Sequence, residues 1–224
     1  MLKTVIINGS PKGKNSASNM FIDKIKEFLD KEPRIYQANK LLEGENDFKE
    51  LSTILNADVL LFVFPLYVDS LPAPLIKVLN MIEKEASKMN GKFPTVYAIS
   101  NCGFYEAEQN RLALDIVKNF SYALGMSWMY GIGIGNGGYV ASRSKNISKK
   151  GSASNVYYAL CELGEAMKSH DKTIKSNHVK QNVFVTPKMS RFVYKLSGNL
   201  GWYLMAMKHS SLTSLKAKPH VFKK

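Results

Sequence analysis

The sequence predicts an α/β protein: five parallel strands in the doubly wound order 2-1-3-4-5, helices on both faces, and a helical extension at the C-terminus. Three observations predict it. Apolar runs of strand length alternate with stretches whose apolar residues recur every three or four positions. One run, Ala57-Asp58-Val59-Leu60-Leu61-Phe62-Val63-Phe64, carries a single early charge, as suits a strand buried on both faces. A Gly/Ser/Asn/Lys segment, Asn8 to Asn19, joins the first apolar run to the first helical pattern, at the end of a sheet where ligands bind.

The elements follow in order. Lys3 to Asn8 is the first strand, and a helix runs from about Ser16 to Lys31. Arg34, Ile35 and Tyr36 belong to a short second strand, and Phe48 to Asn56 reads as helix. The Ala57–Phe64 strand stops at Pro65, which cannot donate to a ladder. Ala73 to Met89 is a helix with Leu75, Ile76, Leu79 and Ile82 on one face. Phe93 to Ser100 is the fourth strand. Glu106 to Leu124 is helical, Ser127 to Ile134 is the fifth strand, and a last helix of the sheet region spans roughly Ala153 to His170. The crossovers are expected to be right-handed.

Composition narrows the function. The 224 residues, 45% hydrophobic, suffice for one sizeable core. Met1 leads directly into a strand, so no signal peptide is expected, and no apolar run reaches the length of a membrane span. Cys102 and Cys161 form neither a disulfide framework nor a metal-ligand spacing. His170, His178, His209 and His220 crowd the C-terminus without paired spacing, which speaks against a zinc site or a Ser-His-Asp triad. A cytoplasmic location is the simplest expectation. The net charge of +13 is uneven: Lys168 to Lys224 holds twelve Lys and Arg against one acid, Asp171, leaving only +2 for the preceding 167 residues. Such a tail attracts phosphate-bearing ligands, anionic lipid or acidic partners. No nucleic-acid-binding motif accompanies it.

Three segments fall at the carboxyl ends of strands. In the first, backbone amides and the start of a helix converge, with the hydroxyls of Ser10, Ser16 and Ser18 and the ammonium groups of Lys12 and Lys14. A phosphate suits it, although Ser16 or Ser18 also reads as a plain helix cap. No Gly-Lys-Ser/Thr closes the loop, so it is not a P-loop. The second, Pro65 to Pro74, sets Tyr67, Leu66 and Val68 among three prolines, a stiff apolar wall for a planar heterocycle. The third, Asn101-Cys102-Gly103-Phe104-Tyr105, offers backbone amides where a ring can come close. Phosphate at one end and a flat ring at the other describe a mononucleotide.

Asn8-Gly9-Ser10-Pro11-Lys12 with Ser16 and Ser18, then Pro65 to Ala73, then Asn101 to Phe104, resembles the NADPH-dependent FMN reductase family of flavodoxin-like proteins over the first 140 or so residues. The resemblance implies that Ser10, Lys12, Asn15, Ser16, Ser18 and Asn19 hold the FMN phosphate. It implies that Pro65, Leu66, Tyr67 and Val68 line the isoalloxazine, and that Asn101, Gly103 and Phe104 meet its pyrimidine side, with Cys102 contributing backbone at most. It departs in having lysines where many members carry arginine, so a point charge replaces a bidentate fork. It also implies NAD(P)H as donor, a small-molecule electron acceptor and a homodimer. The reading from a different class is an electron carrier without NAD(P)H turnover of its own.

Gly133-Ile134-Gly135-Asn136-Gly137-Gly138 matches Gly-x-Gly-x-x-Gly, but a basic loop rather than a helix is expected after it, so it is read as a flexible loop over the ligand or a glycine-rich turn. Residues 1–185 form the expected FMN-binding domain and 186–224 a basic extension. Thr186-Pro187 reads as a helix start, followed by Met189, Phe192, Val193, Leu196, Leu200, Tyr203, Leu204 and Met207 at helical spacing, with Gly198 and Gly201 weakening the middle. That face suits docking on its own domain, on a sister subunit or peripherally on a membrane surface.

Overall fold

The computed structural model describes residues 2–43, 47–89, 91–142, 147–169, 181–209 and 212. His170, His178, His220 and the cations of 170–180 and 213–224 lie outside the described residues, as does the end expected at His170 for the last helix of the sheet region. The chain divides into two compact units, Met1–Lys188 and Met189–Lys224.

In the first unit the strands are β1 (Thr4–Asn8), β2 (Arg34–Gln37), β3 (Val59–Pro65), β4 (Thr95–Asn101), β5 (Ser127–Ile134) and β6 (Val183–Val185). They form one parallel sheet in the order β2-β1-β3-β4-β5-β6. The doubly wound order expected from the sequence is present, but the sheet has six strands, not five. The sixth pairs Ile132 with Val183 and Ile134 with Val185. It covers the β5 edge, whose ladder groups would otherwise be unpaired. The Asn182 Oδ1 pins its start by accepting from the Gly131 amide at 2.8 Å.

The helices of this unit are α1 (Ala17–Lys26), α2 (Ala38–Leu41), α3 (Asp47–Leu55), α4 (Ala73–Ala86), α5 (Arg111–Ala123), α6 (Gly137–Ser142) and α7 (Ser154–Lys168). Short 3-10 turns at Gly13–Asn15 and Ala107–Asn110 precede α1 and α5. Because strand side chains alternate, the sheet presents two apolar faces. Ile7, Leu60, Phe62, Phe64 and Ala98 face Leu51, Leu75, Val78, Ile82, Leu114 and Val117, so α3, α4 and α5 cover one side. Ile6, Leu61, Val63, Tyr97 and Ile99 face Phe21, Ile22, Ile25, Val156, Leu160 and Leu163, so α1 and α7 cover the other. The continuous apolar run of β3 is buried from Val59 to Phe64, as a strand sandwiched between helix layers must be.

Two expectations change. A helix, α6, does follow the Gly133–Gly138 segment, and Gly133 to Gly137 is buried rather than a flexible loop. The second unit carries α8 (Arg191–Lys208). Its cap is Ser190, whose Oγ accepts from the Val193 amide at 3.2 Å, so the helix does not start at Thr186-Pro187. The Thr186 hydroxyl instead donates to the Tyr105 carbonyl at 3.0 Å and accepts from the Ala107 amide at 3.3 Å, holding the chain beyond β6 to the third strand-end loop.

Candidate functional site

The loop after β1 is built on itself. Buried Asn8 ends the strand; its Oδ1 accepts from the Ser10 amide at 3.0 Å and its Nδ2 donates to the Gly13 carbonyl at 3.4 Å. Gly9 has no alternative there, because a Cβ would lie 2.8 Å from the Leu75 Cδ2 and 2.9 Å from the Phe64 Cβ. The Ser10 Oγ accepts from the Lys12 amide at 3.3 Å. Ser16 caps α1: its Oγ accepts from the Asn19 amide at 3.1 Å and donates to the Gly13 carbonyl at 2.6 Å. The leading amides of α1, at Ala17 and Ser18, have no carbonyl one turn ahead of them and carry the positive end of the helix dipole. Lys12, Lys14 and Asn15 are exposed on the loop, and the half-buried Asn19 donates from Nδ2 to the Asp23 carboxylate at 3.0 Å.

Sequence reasoning missed Asn39 as a brace. From α2 its Nδ2 donates to the Pro11 carbonyl at 2.8 Å, tying the loop to a segment 28 residues away. Nothing in the local pattern marks it, since the contact exists only once β2 lies beside β1. Next to the loop a cavity of about 840 Å³ is lined by the cations Lys14, Lys26, Arg34 and Lys40, with Asp23 and Glu50 as the acids.

The loop after β3 makes a tight turn. The Tyr67 and Ser70 backbones exchange hydrogen bonds of 2.9 and 3.0 Å, and the two residues between them have positive φ, 47° at Val68 and 56° at Asp69. This is the mirror-image turn of hairpins, normally built with Asn and Gly. A β-branched valine there is strained by about 1–3 kcal/mol, and such strain clusters at ligand clamps. The turn holds Val68 fully in solvent, with Tyr67 exposed beside it, while Pro65 and Leu66 are half-buried.

The loop after β4 closes the set. Asn101 is buried, and its Nδ2 donates to the Ser18 Oγ at 3.1 Å and to the Phe64 carbonyl at 3.0 Å. Its own carbonyl accepts from the Leu66 amide at 2.7 Å. One asparagine therefore joins all three loops. Ser18 is buried and receives that bond, while Ser10 and Ser16 also serve the loop internally. Gly103 is exposed with open space on its side-chain position, and Phe104 is half exposed. Cys102 is buried; burial pushes its thiol up, against the Asn110 Nδ2 that donates to Sγ at 3.3 Å. Asn110, a second residue the sequence did not mark, also donates to the Ala107 carbonyl at 2.9 Å and accepts from the Ser100 hydroxyl at 2.8 Å.

The glycines after β5 serve this loop. A Cβ on Gly135 would meet the Tyr105 carbonyl at 2.5 Å, and one on Gly137 the Asn101 Oδ1 at 2.9 Å. Within the Gly-x-Gly-x-x-Gly match the first two glycines have a packing cause, since a Cβ on Gly133 would lie 2.7 Å from the Phe184 Cδ1 and Gly135 adjoins the Tyr105 carbonyl, whereas the third, Gly138, has open space around it.

The donor set fits a phosphorylated planar heterocycle. Helix amides, hydroxyls and lysines gather at one end, and exposed Tyr67, Val68 and Phe104 with the unhindered Gly103 stand at the other. Flat apolar rings and anions are what those two ends take.

A parallel sheet ordered β2-β1-β3-β4-β5, extended by one edge strand and wound by helices on both faces, is the flavodoxin-like arrangement. Solved structures bear this out. An NADH:FMN oxidoreductase in its apo form superposes with a TM-score of 0.55 at 17% identity, over 75% of this chain and 89% of its own. An NADPH-quinone reductase from P. pentosaceus gives 0.53 at 18%, over 74% and 96%. An NAD(P)H:quinone oxidoreductase from Methanothermobacter marburgensis gives 0.52 at 13%, over 80% and 98%. At these identities the likeness is one of fold. No protein-family model matches the sequence, and no curated protein matches it by sequence search.

Proposed function

We propose that this protein is an FMN-dependent NAD(P)H oxidoreductase, passing electrons from a nicotinamide to a small-molecule acceptor such as a quinone, an azo or nitro compound, a flavin or a metal ion. The observation that carries the reading is the bonding of three strand-end loops through Asn101, which brings a phosphate-type donor cluster and an apolar ring surface together at the carboxyl end of the sheet. The names of the three superposed structures, two of them quinone reductases and one an FMN oxidoreductase, support the reaction class.

Bound flavin supplies the hydride and electron chemistry, so no side chain need act as acid or base. The chain's own residues bind and orient. In this reading Ser10, Lys12, Asn15, Ser16, Ser18 and Asn19, with the α1 amides, hold the phosphate. Pro65, Leu66, Tyr67 and Val68 shield one side of the ring, and backbone at Asn101, Cys102, Gly103 and Phe104 meets its polar edge. The strained turn presents Val68 without further ordering, which lowers the entropy cost of binding. The family resemblance also supports a homodimer. Exposed Ile76 on α4 and Leu112 and Ile116 on α5 offer apolar surface for one.

A spectral titration with FMN tests the reading. Flavin is expected to bind, and Ser10→Ala with Lys12→Ala is expected to weaken it at least tenfold, since each charge-assisted phosphate contact contributes about 1.5–3 kcal/mol. Unchanged affinity in the double variant refutes the assignment. Tight flavin binding with no NAD(P)H oxidation in the presence of menadione or ferricyanide assigns the protein as an electron carrier instead.

A further inference from the structure

The second unit has the makings of a surface-seeking helix. Helix α8 has 18 residues, about 27 Å of axis. At 100° per residue, Phe192, Val193, Leu196, Leu200, Leu204 and Met207 fall within an arc of about 120°. All six are between 47% and 74% exposed, and Ala206 is the only buried residue of the helix. Soluble chains rarely leave a contiguous apolar stripe of this size open to water without a partner.

Charge says which partner. The helix carries Arg191, Lys195 and Lys208 and no acid, and beyond Asp171 the sequence has eleven Lys and Arg with neither Asp nor Glu. A second copy on the same stripe would bring two such segments together with no acid in either to offset them. An anionic lipid surface offers the opposite charge and an acyl layer for the stripe. No helix among the described residues is long and apolar enough to cross a membrane, so the helix would lie along the surface rather than pass through it.

We infer that α8 is a peripheral docking element for anionic lipid bilayers, the apolar stripe entering the interface and its own cations, Arg191, Lys195 and Lys208, facing the headgroups. This is independent of the flavin assignment.

Co-sedimentation of the full chain with vesicles tests it. Binding to vesicles containing about a third phosphatidylserine is expected to exceed that to pure phosphatidylcholine by at least tenfold, and to fall steeply from low to high salt. Leu196→Asp with Leu200→Asp removes the stripe and is expected to abolish binding at an unchanged unfolding midpoint. Lys195→Glu with Lys208→Glu keeps the stripe and is expected to flatten the salt dependence. Equal binding to both vesicle types, no binding to either, or indifference to Leu196→Asp/Leu200→Asp overturns the inference. A drop in solution mass of that double variant assigns the stripe to a second copy and overturns it equally.

Discussion

Helices α1 and α8 are built to the same rule and meet opposite fates. Both begin at a serine whose Oγ accepts from the amide three residues on, Ser16 from Asn19 and Ser190 from Val193. Both repeat apolar residues at three- and four-residue steps. In α1, Phe21, Ile22 and Ile25 are completely buried against the sheet. In α8, nearly twice as long, the stripe stays exposed. Amphipathic spacing says that a helix has a face to cover; it does not say what covers it. The charge around the face is the better guide: α1 mixes Asp23 with Lys24 and Lys26, whereas α8 has cations alone.

The comparison can be broken by substitution. Phe21→Ala is expected to destabilise the protein by about 3–5 kcal/mol in urea unfolding, the cost of a fully buried aromatic and the cavity it leaves. Leu200→Ala is expected to move the same midpoint by less than about 0.5 kcal/mol. A cost for Leu200→Ala approaching that of Phe21→Ala would show that α8 is held as firmly as α1.

Alkali sharpens it next. Burial pushes the Tyr97 phenol from 10.0 up to about 12, and raises the Tyr130 phenol further still. The folded state therefore keeps these protons when the unfolded chain has lost them. Stability is full below pH 10 and falls above it, by about 1.4 kcal/mol per pH unit for each tyrosine until the folded group ionises. Thermal unfolding between pH 9 and 12 reads this, and Tyr97→Phe is expected to reduce the slope. The Tyr97 hydroxyl donates to the Ala166 carbonyl at 3.2 Å, so that variant also loses about 1 kcal/mol at neutral pH.

The caps give a smaller and more direct contrast. Ser16→Ala is expected to cost about 1 kcal/mol of global stability, because the α1 cap is part of the folded core unit. Ser190→Ala is expected to lower far-ultraviolet helicity while leaving the main unfolding midpoint in place. Smallest is the strained turn: Val68→Gly relieves the positive φ and is expected to stabilise by up to about 1 kcal/mol while weakening flavin binding. A destabilised Val68→Gly would mean that the turn is not strained.

Much of the candidate site was legible because its residues lie within short segments. The loop between β1 and α1 and the proline-flanked aromatic turn after β3 are local patterns, and the alternation of apolar runs places both at the carboxyl ends of neighbouring strands. What escaped has a common cause. Strand β6 is only Val183-Phe184-Val185, too short to show a period, and exists because β5 offers an open edge. Asn39 and Asn110 look like any polar residues until β2 beside β1, and β5 beside β4, bring the Pro11 and Ile134 carbonyls to them. Thr186 reads as a cap by local rules, yet its hydroxyl goes to Tyr105, 81 residues earlier.

By itself, then, the chain's order of apolar and polar residues dictated a parallel, doubly wound sheet and which loops fall at the carboxyl ends of its strands. These depend on backbone propensity and hydrophobic period, which are properties of neighbours in sequence. Only tertiary structure decided that a sixth strand seals the sheet, that Asn101 ties three strand-end loops together, and that the Gly133–Gly137 segment is packed. Those outcomes need groups far apart in the chain to satisfy each other's hydrogen bonds, and no local pattern encodes which distant partner arrives.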